Sequence, residues 1–390
     1  MTTRTPKLLS LLVLAGLLTT LAAAPAAAQT PPFDRTVIVG GSLSPVANGT
    51  ALLTALAGIT TASAADPWKI LVEPGIFDLQ GSTLNMKNFI DIQGSGRDVT
   101  YIRSFASEAV LASGIINAEL RDLTVQSFAD APSIAVRADS DDFLLTQVNL
   151  EAVSASSATA FLTKGANPRV SEVFARVASE QGTAVGFAIV GGAPVISEAF
   201  ALIETAADNG IGFQVTDGST ATLLEVRSQI FGVGSSAFGL QISESRINVQ
   251  NCNLSVRGTN GSVENRGIYL LDNAFASIKD CIASASAGNR PAGLWVSTGS
   301  TAEANESIFT GSGGISFAGS YGLFNANGGT AQLDRCTVEG GTAVRNFSPT
   351  DVAVLGASRL VGGLAIAAGS TISCAQSYNG ANADVNALCL

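Results

Sequence analysis

The stretch from Gly267 to Val338 repeats itself, and that repetition restricts the possible folds more than any other feature of the 390-residue chain. Gly267-Ile268-Tyr269-Leu270 leads through a short turn into Ser277-Ile278-Lys279-Asp280-Cys281. Gly293-Leu294-Trp295-Val296 leads likewise into Ala304-Asn305-Glu306-Ser307, and Gly322-Leu323-Phe324 passes a Gly-Gly turn into Gln332-Leu333-Asp334-Arg335-Cys336. Each copy holds a glycine, an apolar alternation, a turn, and a second alternation ending in a charged residue beside a small one. Alternation over a few residues marks a strand with one buried face. Its recurrence every two or three dozen residues marks a solenoid, in which no rung buries enough surface alone and each covers its neighbours.

The period runs through most of the chain. Leu123, Val148, Val173, Ala199, Val226, Cys252, Cys281, Ser307, Cys336 and Ser358 form one column, at steps of 25, 25, 26, 27, 26, 29, 26, 29 and 22 residues. Phe187, Phe213, Leu240, Ile268, Leu294 and Leu323, each just after a glycine, form a second in the same register. At about 4.8 Å per strand, some ten or eleven rungs make a rod roughly 50 Å long. An antiparallel sandwich would break this single period with hairpins, so the expected fold is an all-β parallel solenoid of about 10–11 rungs. The 41 Gly, 18 Phe, 4 Tyr and 2 Trp suit the narrow core of such a coil.

The ends read differently. Arg4 and Lys7, the apolar stretch Leu8 to Ala24, and Ala26-Ala27-Ala28 before Gln29 have the form of a secretory signal peptide over residues 1–28. Its removal takes the net charge from -10 to -12, because Arg4 and Lys7 leave with it. The rest of the chain has no apolar run long enough to span a membrane. So acidic a chain is a poor partner for nucleic acid, where affinity rests on Lys and Arg facing phosphates. Residues 29–65 form an N-terminal segment. Asn48-Gly49-Thr50 is expected to cap a short helix there, with Leu52, Leu53, Leu56 and Ile59 on one face, closing the end of the coil. Residues 66–365 form the solenoid and 366–390 a tail.

Lys69-Ile70-Leu71-Val72-Glu73 runs into the turn Pro74-Gly75, then Ile76-Phe77-Asp78-Leu79, Ile90-Asp91-Ile92-Gln93-Gly94-Ser95-Gly96 and Thr100-Tyr101-Ile102. This series resembles the first turns of right-handed parallel β-helix proteins of the pectin lyase-like superfamily, and the resemblance continues through the repeats to about Leu360. It implies a right-handed parallel β-helix and leaves the activity open, because that superfamily includes lyases, hydrolases, esterases, epimerases, phage tailspikes and proteins with no known reaction. The catalytic motifs of that superfamily are incomplete. With no His in the chain, a Gly-His-Gly stretch like that of polygalacturonases and a Ser-His nucleophile are both impossible. Arg290-Pro291 stands alone where a pectate lyase-like stretch would continue to a second Arg, and no Gln-Asp-Thr-Leu-Tyr-like esterase motif is present.

Residues flanking the inward column should face outward. The column before it reads Asp122, Gln147, Glu172, Glu198, Glu225, Asn251, Asp280, Glu306, Arg335, and the column after it includes Phe174, Phe200 and Arg227. Glu172, Glu198 and Glu225 on successive rungs are therefore candidate acid/base groups, with Phe174, Phe200, Arg176 and Arg227 as candidate ligand-binding neighbours. Aromatic faces suit sugar rings, and paired carboxyl groups are the chemistry of glycosidic cleavage. Solvated glutamates beside a covered Phe pair are the structural alternative. No cofactor or metal site is expected, Ca²⁺ among the Glu row being the one possible ion. The run Asp139-Ser140-Asp141-Asp142 reads as turn chemistry.

The absence of His and of Cys-x-x-Cys removes the familiar transition-metal sites. Cys374 and Cys389 flank the tail and are expected to form a disulfide if the chain is exported. Cys252 and Cys281 stack on adjacent rungs and are expected to remain free interior thiols, while Cys336 is too far from either to pair. The sequence thus points to an exported β-helix protein, secreted or at a bacterial cell envelope, in the periplasm or on the outer surface. Its expected partner is extracellular or cell-wall polysaccharide along one face. The alternatives are a polysaccharide-active lyase or hydrolase using the surface carboxylates, and a structural surface protein.

Overall fold

The structure, a computed structural model, describes residues 35–40, 44–114, 117–130, 132–258, 264–313 and 319–379. The expected leader over residues 1–28, and Cys389 of the expected Cys374–Cys389 pair, lie outside the described residues. The chain is a parallel β-solenoid of about 11 turns. Over the central rungs each strand pairs in parallel with the third strand along, so every turn contributes one strand to each of three sheets. We call these sheet A (Phe174–Ser179, Phe200–Thr205, Arg227–Phe231 and onward), sheet B (Ala184–Val190, Asn209–Thr216, Ser236–Ser243 and onward) and sheet C (Val195–Ser197, Thr220–Leu224, Arg246–Gln250 and onward).

The register is the one the repeat dictates. On sheet A, Phe174 pairs with Phe200, Phe200 with Arg227, Arg227 with Asn253, Asn253 with Ile282, Ile282 with Ile308 and Ile308 with Thr337. On sheet B, Phe161, Phe187, Phe213, Leu240, Ile268, Leu294, Leu323 and Val344 follow one another, all fully buried. Parallel pairing reaches past the expected 66–365 span at both ends, to Arg35–Val39 on one side and to Thr371–Ala375 and Tyr378–Asn379 on the other.

Sheet C meets sheet A at a one-residue corner. Asp122, Gln147, Glu172, Glu198, Glu225, Asn251, Asp280, Glu306 and Arg335 all sit there in the left-handed region, with φ between 51° and 57°. The corner breaks the strand ladder, and the buried amide just after it must find a partner. In the later rungs a side chain supplies one. Cys281 N donates to Ser307 Oγ at 3.1 Å, Cys336 N to Ser358 Oγ at 3.1 Å and Ser358 N to Ser377 Oγ at 3.3 Å. The recurrence of Cys and Ser in this inward column is therefore a hydrogen-bond requirement as well as a size requirement.

Cys252 and Cys281 correct the sequence reading. They are joined as a disulfide across adjacent rungs, with Cα atoms 4.5 Å apart, instead of lying as free thiols. Straight parallel strands would set the two side chains at the wrong mutual angle, whereas these residues follow a sharp corner. Cys252 N also lies 3.3 Å from Cys281 Sγ. Replacing both cysteines by serine should remove the cross-link of a loop 29 residues long, worth at most about 3.5 kcal/mol. Serine keeps an acceptor for the corner amide. Cys281→Ala removes the acceptor too and should fall about a further 1 kcal/mol below the double serine variant. Urea titrations with and without reductant read both differences. Cys336 is the free, buried cysteine among the described residues, and burial pushes its thiol up to about 11.

The expected terminal helix exists but begins earlier, at Pro45–Gly58, with Ser44 as its N-cap: Ala47 N donates to Ser44 Oγ at 3.4 Å. Proline at the first helical position needs no amide partner, which fixes the start ahead of Asn48. Asn48 is buried and donates instead to Ile76 O at 3.1 Å, tying the helix to the first rungs. Leu52, Leu56 and Ile59 are buried against the end of the coil. Lys87 Nζ closes the other helix end, reaching Leu56 O at 2.7 Å and both Ala57 O and Ile59 O at 3.1 Å. Among the described residues no helix is long and apolar enough to cross a membrane.

Candidate functional site

The corner between sheets C and A gathers most of the candidate residues. A left-handed corner turns the side chain of Glu172, Glu198 or Glu225 away from the core while the next residue, Val173, Ala199 or Val226, is buried. One residue further, Phe174, Phe200 and Arg227 face outward on sheet A. The rings of Phe174 and Phe200 meet edge to face, with centroids 5.3 Å apart. Glu198, Ala199, Phe200, Glu225, Arg227 and Asn251 line a cleft of about 390 Å³.

The candidates are not equivalent. Glu172 is half-buried and accepts from Gln147 Nε2 at 2.9 Å, and its carbonyl accepts from Arg97 Nη1 at 3.3 Å, so it braces the wall below the cleft. Glu198 and Glu225 are exposed and form no ion pair among the described residues. Arg227 is exposed too. Arg176 is directed away from the glutamate row. Its guanidinium pairs with Glu204 Oε2 at 2.9–3.0 Å, which raises its pKa further. The pairing of the two strands slips just there: Val177 pairs with Ile203 and Ala178 with Thr205, so Glu204 is the extra residue of a bulge. The structure thus unites Glu198, Phe200, Glu225 and Arg227, sets Glu172 and Phe174 at their edge, and takes Arg176 out of the group.

Two members of the acidic run at residues 139–142 join rungs. Asp139 pairs with Arg137 at 2.7 Å and accepts from Lys164 N at 3.0 Å, and Asp141 accepts from the backbone and side-chain amides of Asn167 at 2.9 and 2.8 Å. Among the described residues no three His, Cys, Asp or Glu side chains are grouped closely enough to hold a metal ion.

Sheet B carries a second aromatic row, outside the candidate residues. Tyr269, Trp295 and Phe324 each follow an inward residue, so they stack outside the coil on consecutive rungs. Centroids lie 6.3 Å apart from Tyr269 to Trp295 and 3.9 Å from Trp295 to Phe324, and Phe238 and Phe347 extend the ladder at 5.5 and 6.0 Å. The guanidinium of Arg266 lies 3.8 Å from the Tyr269 centroid and 3.7 Å from that of Trp295, pairing with Glu264 at 2.5 Å. Burial lowers its pKa. Trp295 is 6% exposed and Phe324 3%, so the ladder works as packing on the outer side of the sheet. The signal was present: one aromatic, one place after the inward residue, in each of the three repeats.

Comparison with known proteins agrees on architecture. No protein-family model matches the sequence, and no curated protein matches it significantly. Solved structures do match. A Dettilon tailspike protein superposes with a TM-score of 0.57 at 13% identity, over 85% of this chain and 68% of that one. The A-module of an Azotobacter vinelandii mannuronan C-5 epimerase gives 0.42 at 15% identity, over 85% and 95% of the two chains. A carrot pectin methylesterase gives 0.39 at 15% identity, over 62% and 83%. The likeness to the tailspike protein bears out the expected right-handed parallel β-helix as the fold of this chain.

Proposed function

We propose that this right-handed parallel β-helix binds polysaccharide outside the cell, at the corner cleft holding Glu198, Phe200, Glu225 and Arg227. The observation that carries the reading is a single cleft lined by one aromatic ring, one arginine and two carboxylates that form no ion pair among the described residues. An aromatic face covers the apolar side of a sugar ring, and carboxylate and guanidinium groups take up its hydroxyls in charge-assisted hydrogen bonds. The two carboxylates outweigh the one guanidinium, so the cleft favours neutral or amino-bearing sugars and repels polyuronates. Export rests on the leader-like residues 1–28.

A panel of neutral, amino-bearing and uronate polysaccharides, each with and without Ca²⁺, tests this directly. Neutral or amino-bearing chains should bind. Phe200→Ala should weaken binding about tenfold, equivalent to about 1.4 kcal/mol, while Glu172→Gln should leave it within twofold. Binding unchanged by Phe200→Ala, or no binding at all, would overturn the proposal. Release of reducing ends or of unsaturated uronate that vanishes in Glu198→Gln or Glu225→Gln would instead make the chain an enzyme.

A further inference from the structure

We infer that the bound chain continues beyond the corner cleft into a groove on sheet C, so that the protein grips an extended glycan parallel to its long axis. This rests on the reading above for the identity of the ligand, and on separate residues for the site. Ser277, Lys279, Glu303, Asn305, Gln332, Asp334, Val354 and Gly356 face a groove of about 480 Å³.

Its lining has two columns. In the first, Ser277, Glu303, Gln332 and Val354 are register partners on consecutive rungs. The hydroxyl, carboxylate and amide of the first three have no partner among the described residues. They offer donor and acceptor groups repeating about every 4.8 Å to a ligand with its own repeating hydroxyls. Val354, 41% exposed, adds an apolar seat. In the second column, Lys279, Asn305, Asp334 and Gly356 are partners in the same rungs. Here Asn305 and Asp334 are held in place. Arg335 reaches back from its corner to Asn305 Oδ1 at 3.0 Å, Asp334 Oδ2 at 3.3 Å and Glu306 Oε1 at 2.7 Å, forming a braced wall. Gly356 leaves bare backbone beside it, since a Cβ there would stand 2.8 Å from Asp334 Oδ1.

The two clefts lie in series. Gln250, the neighbour of Asn251 at the upper edge of the corner cleft, is the register partner of Lys279 at the lower edge of the groove. From the Glu198 rung to the Gly356 rung the track crosses seven consecutive rungs, about 29 Å at 4.8 Å per rung. A chain engaging both segments gains by effective concentration, whereas an oligosaccharide filling only one does not.

The test compares a long chain with its own short oligosaccharides, using a polysaccharide that the panel shows to bind. The wild type should bind the long chain about tenfold more tightly than the short one. In Glu303→Ala with Gln332→Ala that advantage should vanish while the short oligosaccharide binds as before. In Phe200→Ala the short oligosaccharide should lose affinity. An unchanged advantage in the double variant overturns the groove and leaves the corner standing. A lost advantage with no effect of Phe200→Ala overturns the corner and leaves the groove. Absence of binding to any glycan overturns both. Circular dichroism of the double variant confirms folding, because both replaced side chains are exposed.

Discussion

Alanine in place of Gly293 is expected to lower the unfolding free energy by about 3 kcal/mol, the upper part of the range for forcing extra volume into a packed core. A Cβ at that position would lie 2.4 Å from Thr310 N, 2.6 Å from Phe309 C and 2.8 Å from Phe309 Cα. These are backbone atoms of the facing strand in sheet A, already held in the parallel ladder, and they have no rotamer to move into. Gly293 belongs to a column with Gly186, Gly212, Gly239, Gly267 and Gly322. Added methyl groups at Gly212 and Gly239 would meet Ser228 Cβ at 2.6 Å and Leu254 Cβ at 2.9 Å. None of these six glycines has a positive φ, so the requirement is close approach of two sheets and not a special backbone conformation. Beyond the column, Ala160 and Ala343 occupy the equivalent places and are fully buried. Ala160→Gly is thus the control, expected to cost about 1 kcal/mol by lost packing and added chain entropy. Equilibrium urea denaturation of both variants gives the comparison. A Gly293→Ala protein as stable as the wild type would show that the sheets are further apart than described.

The same glycines explain how much of the molecule could be read in advance. A glycine followed by an inward aliphatic, recurring at nearly constant spacing, fixes which residues stack, and the register of sheets A and B follows from it. The corners were harder. Alternation makes Glu198 an outward strand residue, and it does face outward, but through a left-handed turn. Alternation cannot distinguish the two, and glutamate lacks the turn preference that glycine or asparagine would have signalled. The same straight-strand assumption led to free thiols at Cys252 and Cys281. The sequence sets Arg176 beside the glutamate row, but Glu204, four places after Phe200 on the same face of the next rung, takes its guanidinium. The helix start was legible in Ser44-Pro45, but Asn48-Gly49-Thr50 offered a competing cap.

Truncating Phe213 to alanine should cost about 3–5 kcal/mol, the range for emptying a buried aromatic site. Its ring is fully buried and stacked on that of Phe187 with centroids 4.9 Å apart and planes 6° from parallel, while Phe187 meets Phe161 at 6.1 Å. Next along the column come Leu240, Ile268, Leu294 and Leu323, so the site accepts an aliphatic of smaller volume. Phe213→Leu should therefore cost less than about 1.5 kcal/mol. In a solenoid each rung is held only by its neighbours, and the loss should be felt locally before it is felt globally. Hydrogen exchange of Phe213→Ala should quicken in strands Ala184–Val190, Asn209–Thr216 and Ser236–Ser243, with Tyr321–Ala326 protected as in the wild type. The corner cleft sits on these same rungs: Ala199 and Val226, which anchor Glu198, Phe200, Glu225 and Arg227, share one hydrophobic core with Phe213. Glycan affinity should then fall in Phe213→Ala and survive in Phe213→Leu. Uniform acceleration along the whole rod would instead mean that the coil unfolds as a single unit.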